Sequence, residues 1–164
     1  MKRQWWIAAI VLALCGTAAT AQEKPFKTKV TLLDQNATDM VYHLPLAKYP
    51  KWLAEAQLAD GTKVWFVSVK SMMQAYFHQD YFIKRGLLPA KIRKMYVQDY
   101  LTGEKVDATK AYYLFGSRVT GPHGDDLIPF ASEENAKLFM LKHGGSKILP
   151  FGKLSKGLIR YLDM

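Results

Sequence analysis

The sequence predicts an α+β fold made of two related ββαβ units packed together. Three observations carry this. Apolar residues alternate over strand-length stretches, and a helical stretch of apolar spacing follows a strand pair in each half. The halves also echo one another, with Phe66-Val67-Ser68 and Ala75-Tyr76-Phe77 matched by Phe130-Ala131-Ser132 and Ala136-Lys137-Leu138-Phe139. Such a repeat gives two small layered units, each hiding the apolar face of its sheet under its helix.

The first residues read as an export leader. Lys2 and Arg3 form a positive start, Trp5–Leu14 is apolar, and Ala19-Thr20-Ala21 is a small-residue cleavage site before Gln22. The apolar run is too short to span a bilayer, which takes about 20 residues. The chain's one cysteine, Cys15, sits in Leu12-Ala13-Leu14-Cys15. That stretch looks like a lipoprotein box, but bulky Leu14 before the cysteine suits such processing poorly. A cleaved leader and a periplasmic protein are expected, with membrane attachment only if Cys15 is lipidated. Loss of residues 1–21 from the 164 leaves 143 without cysteine, which excludes disulfides, thiolate metal ligands and cysteine nucleophiles from the mature chain. Loss of Lys2 and Arg3 takes the formal charge from +9 to +7. Export removes nucleic acid as a partner for that charge and leaves solubility, an acidic protein or an anionic membrane surface.

The elements follow in order. Residues 22–46 hold one weakly alternating segment, Phe26–Leu32, expected as an edge strand or extended arm. Residues 47–101 make the first unit. Trp52–Ala59 is its first strand, Asp60-Gly61 a tight hairpin turn, and Lys63–Val69 its second strand. Ser71 is a candidate cap for a helix through Met72, Met73, Ala75, Tyr76 and Phe77, and Ile92–Tyr100 is the third strand. Residues 102–164 make the second unit and a C-terminal tail. Ala111–Val119 and Leu127–Phe130 are strands flanking Gly121-Pro122-His123-Gly124. Ser132 with Glu133 and Glu134 starts a helix with acid at the positive end of its dipole, Gly144-Gly145 stops it, and Lys147–Phe151 closes the unit.

Little in the chain suits catalysis. There is no phosphate-binding glycine loop and no HExxH, and adjacent Glu133 and Glu134 point apart on a helix. No enzyme activity is expected. The histidines are more informative. Pro122 fixes its own φ near −65°, and the glycines around it make a rigid bend that presents His123, an imidazole able to titrate or hold a metal. His43 lies in Asp39-Met40-Val41-Tyr42-His43, where Met40 and His43 offer a thioether and an imidazole three residues apart. Soft thioether with imidazole favours copper over hard cations. His78 and His143 close helices, where a partly cationic ring suits the dipole. Met72 and Met73 are consecutive on a helix and cannot both face one ligand, so core packing is their ordinary role. Asp99, Asp125 and Asp126 could accept from a histidine ring N–H or simply stabilise turns.

Several stretches together resemble one family. They are Ala47-Lys48-Tyr49-Pro50, Val97-Gln98-Asp99-Tyr100, Asp107–Tyr113, Gly116-Ser117, Gly121-Pro122-His123-Gly124, Leu127-Ile128-Pro129-Phe130 and His143-Gly144-Gly145. In order and spacing they are similar to the nitrous-oxide reductase accessory (NosL) family, over about residues 39–153. The resemblance implies an exported, often lipid-anchored copper-binding protein of two ββαβ halves. Its implied role is delivery of Cu(I) during maturation of a copper enzyme, nitrous-oxide reductase. The family carries a C-x-x-C-G-M-like motif before its Ala-Lys-Tyr-Pro region and a Gly-Pro-Met-Gly turn later. Here an ungapped count puts Asp39 and Tyr42 at the cysteine positions, while one deletion puts Met40 and His43 there. His123 stands at the turn methionine. Thiolate and thioether give way to imidazole, so the expected ligands are His123, His43 and Met40, converging on copper as Cu(I) or Cu(II). The alternative is a binding or scaffold module that keeps the fold without the metal.

Overall fold

The computed structural model describes residues 28–164. The expected leader, Cys15 and the first residues of the arm lie outside the described residues.

The chain forms two antiparallel sheets. In the first, β1 (Ala54–Leu58) is flanked by β2 (Lys63–Phe66) and β3 (Ile92–Gln98), and β4 (Lys105–Asp107) adds to β3. In the second, β5 (Tyr112–Phe115) is flanked by β6 (Ile128–Phe130) and β7 (Lys147–Pro150). Both sheets repeat one plan: the first strand is central, the second forms a hairpin with it, and a helical connection brings the third to its other side. The expected α+β fold with two ββαβ units is therefore what the chain adopts. The first hairpin closes as its sequence requires. Asp60 accepts from the Thr62 N–H at 2.9 Å, and Gly61 takes φ +88°, a value glycine adopts without strain.

Helix α1 (Val69–Phe77) starts before the expected cap. Ser68, in extended conformation, accepts from the Ser71 N–H at 3.3 Å, so Ser68 rather than Ser71 is the N-cap. The Ser71 hydroxyl instead donates to buried Asp39 at 2.5 Å. A short α2 (Gln79–Lys84) follows at once, burying Phe82. Helix α3 (Glu133–His143) begins at Ser132 and ends at Gly144, as its capping residues dictate. Three elements were not legible in advance: α2, the three-residue β4, and α4 (Lys156–Leu162). Helix α4 is capped by Ser155 and buries Ile159 and Leu162, so the expected tail is in part a packed helix. The arm is extended rather than a strand: Thr28 accepts from the Lys105 N–H at 3.0 Å, and Val30 and Leu32 are buried beside Leu46, Leu53 and Val67.

The main core joins both units. Ala54, Phe66 and Val97 of the first sheet, Met72 and Met73 of α1, and Tyr113 and Leu127 of the second unit share one buried cluster with Ile159 and Leu162 of α4. A second cluster packs Leu114, Ile128 and Phe130 under Ala136 and Phe139 of α3. Burial of each large apolar side chain contributes about 1.5–3 kcal/mol. This packing gathers the start of α1, the turn at residues 39–44, the Gly-Pro-His-Gly turn and the end of α4 into one place.

Candidate functional site

The Gly121–Gly124 turn is closed by the Gly121 N–H donating to the Gly124 carbonyl at 2.8 Å. Each glycine has its own reason. Gly124 takes φ +78°. At Gly121, a Cβ would lie 2.6 Å from Cβ of Asp126. The turn is thus pressed against Asp126, whose Oδ1 accepts from the backbone N–H groups of Lys70 (3.0 Å) and Leu127 (2.8 Å). Burial raises the Asp126 pKa to about 6, against the opposing pull of those two N–H groups and the Lys70 charge. His123 is exposed at the tip. Neither of its ring nitrogens makes a hydrogen bond among the described residues.

Asp39 organises the second segment. Its side chain is fully buried and accepts four hydrogen bonds. Oδ1 takes the Ser71 hydroxyl at 2.5 Å and the Val67 N–H at 3.0 Å, while Oδ2 takes the N–H groups of Val41 (3.0 Å) and Tyr42 (2.7 Å). The turn then closes with the His43 N–H donating to the Asp39 carbonyl at 3.0 Å and His43 at φ +56°. Histidine is among the few non-glycine residues enriched in that left-handed region. The conformation therefore gives His43 a backbone reason to be there.

The ring that meets His123 is Tyr42, not His43. The Tyr42 and His123 rings stack with centroids 4.1 Å apart and planes 13° from parallel. His43 is exposed, and Met40 is half-buried against the main core. The structure thus brings the two expected ligand segments together, but through the Tyr42 ring rather than through His43 or Met40.

Between the segments lies a buried cation. The Lys70 side chain has no solvent exposure, and its ammonium donates to the carbonyls of His123 (2.6 Å) and Leu162 (3.0 Å). It pairs with the Asp163 carboxylate at 3.1 Å and sits 5.3 Å from the centre of the Tyr42 ring. Asp163 also accepts from the Tyr42 hydroxyl at 2.7 Å and from the Gln74 amide. Partial burial works to raise the Asp163 pKa, but the donors Tyr42, Lys70 and Gln74 hold it below its ordinary value. Burial, reinforced by Asp163, raises that of Tyr42. A lysine among Val69, Met72 and Met73 on a helix was a visible sign of a buried charge. Nothing near Asp163 announced its partnership.

The remaining candidates take structural places. Met72 and Met73 are both fully buried. Asp99 caps its own turn through the N–H groups of Leu101 and Thr102 and accepts from Ala131 N–H, so neither it nor Asp126 accepts from a histidine. His143 stacks on Phe139 with centroids 4.2 Å apart in the last turn of α3. Glu133 pairs with Lys137 at 2.9 Å. Among the described residues, no three His, Cys, Asp or Glu side chains are gathered as a ready metal cage.

A sequence model of the NosL family matches residues 30–159. A curated relative, the copper-binding lipoprotein NosL of Stutzerimonas stutzeri, is 38% identical over 58 residues, covering 35% of this chain and 30% of that protein. The match thus spans less than a third of that relative's length. The crystal structure of the copper chaperone NosL from Shewanella denitrificans shares the fold, with TM-score 0.62 and 16% identity over 79% of this chain and 97% of that one. The solution structure of apo-NosL from Achromobacter cycloclastes aligns at TM-score 0.45 and 22% identity, over 65% and 87% of the two chains.

Proposed function

The chain belongs to the NosL family, and from that premise we propose that it is an exported, non-enzymatic copper-binding protein serving the maturation of a copper enzyme such as nitrous-oxide reductase. Copper in this reading is cargo. The observation that carries it is the presentation of His123: an imidazole with both ring nitrogens open, on a turn fixed by Gly121, Gly124 and the Lys70 ammonium, and oriented by the Tyr42 ring.

The donor set differs from the sulfur-rich one that the resemblance implies. Asp39, at the first cysteine position of the ungapped count, is buried and spent on four donors, so it has no lone pair directed at a metal in the open. His123 is the anchor, with His43 and Met40 as candidates on the neighbouring turn. The assay is copper titration of the mature chain beside His123→Ala, His43→Ala and Met40→Leu. Loss of affinity in His123→Ala is the expected result. Equal affinity in all four proteins would remove His123 from the reading.

The buried ammonium favours a second reading, a scaffold module without metal. Lys70 places a fixed positive charge between the His123 carbonyl and the Tyr42 ring, and that charge disfavours a metal shared by the two segments. Mature protein that takes up no copper would select it.

A further inference from the structure

We propose that Asn36 is an acceptor for asparagine-linked glycosylation, performed on the exported chain by a membrane oligosaccharyltransferase. The proposal rests on the reading of export and involves no metal.

The motif is complete. Asn36-Ala37-Thr38 is an Asn-x-Thr acceptor sequence, which is used on surface loops of exported proteins. Asp34 stands two residues before the asparagine, so the stretch reads Asp-x-Asn-x-Thr, the acid-extended form that bacterial transferases select. A carboxylate there offers a charged handle to a cationic side chain of such an enzyme. Asn135, the other asparagine, is followed by Ala136-Lys137 and has no such motif.

The fold presents the motif to solvent. Residues 34–37 form a tight turn, in which the Asp34 carbonyl accepts from the Ala37 N–H at 3.2 Å and Asp34 Oδ1 from the Asn36 N–H at 2.8 Å. Asp34, Gln35, Asn36 and Thr38 are all exposed. Neither the Asn36 carboxamide nor the Thr38 hydroxyl makes a hydrogen bond among the described residues. Anchors on either side hold the turn outward. Leu32 is buried before it, and after it the Ala37 carbonyl accepts from the Leu46 N–H at 3.1 Å and Asp39 is buried. Leu33, next to the turn, is 79% exposed, and a hydrophilic sugar chain at Asn36 gives that apolar side chain a cover.

In the transfer, Nδ2 of Asn36 bonds to C1 of the first sugar of an oligosaccharide carried on a lipid diphosphate. The C1–O bond to the diphosphate breaks, the lipid diphosphate leaves with the electron pair, and one Nδ2 proton passes to it by way of the transferase. The Thr38 hydroxyl is the hydrogen-bonding group by which the enzyme seats the asparagine.

The test is mass spectrometry of the tryptic peptide Val30–Lys48. The full chain with its leader is produced in bacteria supplied with an oligosaccharyltransferase and its undecaprenyl diphosphate-linked oligosaccharide. The parent peptide is expected to carry one oligosaccharide, located on Asn36 by fragmentation. Asn36→Gln and Thr38→Val should lose it and Thr38→Ser should keep it, while Asp34→Ala should lower occupancy about tenfold. The three positions are exposed, so circular dichroism of each variant should match the parent. An exported parent without sugar, or sugar retained in Asn36→Gln, overturns the inference and leaves the export reading standing. A chain held in the cytoplasm overturns both.

Discussion

Replacing Lys70 with methionine tests the architecture of the site directly. The substitution keeps length and apolar bulk while removing one ammonium. That ammonium serves the carbonyls of His123 at 2.6 Å and Leu162 at 3.0 Å and the Asp163 carboxylate at 3.1 Å, with no solvent at the side chain. Breaking a buried ion pair from one side costs about 3–5 kcal/mol, because the partners left behind stay desolvated. Two effects reduce this. The Asp163 side chain keeps 25% exposure, so water can reach it, and burying a thioether costs less than burying an ammonium. We expect a loss of about 3 kcal/mol, or roughly 10 °C in Tm for a domain of this size. Urea denaturation at neutral pH, followed by tryptophan fluorescence, reads it. Asp163→Asn in the Lys70→Met background should then cost little more, because the pair is already broken. A Lys70→Met loss below about 1 kcal/mol would refute the view that this cation holds turn and helix together.

Three further outcomes follow from neighbouring residues. Asp126, raised from 3.8 to about 6 by burial, binds its proton more tightly in the folded state, so stability should fall as pH rises from about 4 to 6, by on the order of 3 kcal/mol; Asp126→Asn should flatten that slope in pH-dependent urea melts. Asp39→Ala should cost about 3–5 kcal/mol, since it strands the N–H groups of Val41, Tyr42 and Val67 and the Ser71 hydroxyl, and Asp39→Asn should lose less; a thermal melt ranks the two. Gly121→Ala should cost about 1–3 kcal/mol because its Cβ would meet Asp126 at 2.6 Å, whereas Gly152→Ala, with open space around it, should be near neutral.

What was legible in the sequence was what local chemistry specifies. Asp60-Gly61 fixed a hairpin, Ser132 and Gly144 bounded α3, and the doubled strand-strand-helix-strand rhythm led to two sheets of the same order. The choice between Ser68 and Ser71 as cap was not local, because Ser71 is drawn to Asp39, 32 residues away. Helix α4 was missed since its apolar face is short and set among lysines, and its position depends on packing against α1. The site divides in the same manner. The turn glycines and His123 announced themselves, while Lys70, Tyr42 and Asp163 are joined across 28 to 121 positions of sequence and signal only through the fold.

The same division leaves the side chain at position 123 with little structural work. Every polar tie on the turn falls on its backbone: the Gly121 N–H on the Gly124 carbonyl, and the His123 carbonyl on Lys70. The side chain adds one stacking contact with Tyr42 and spends neither nitrogen. A methionine at 123 would keep the backbone ties and trade an aromatic stack, worth about 0.5–1.5 kcal/mol, for a sulfur–aromatic contact of similar size. His123→Met is therefore expected to leave Tm within a few degrees of the parent and to raise the affinity for Cu(I) relative to Cu(II), read by competition titration with each ion. A large loss of stability in this variant would mean that the imidazole itself holds the turn, and that its exposure is structural rather than functional.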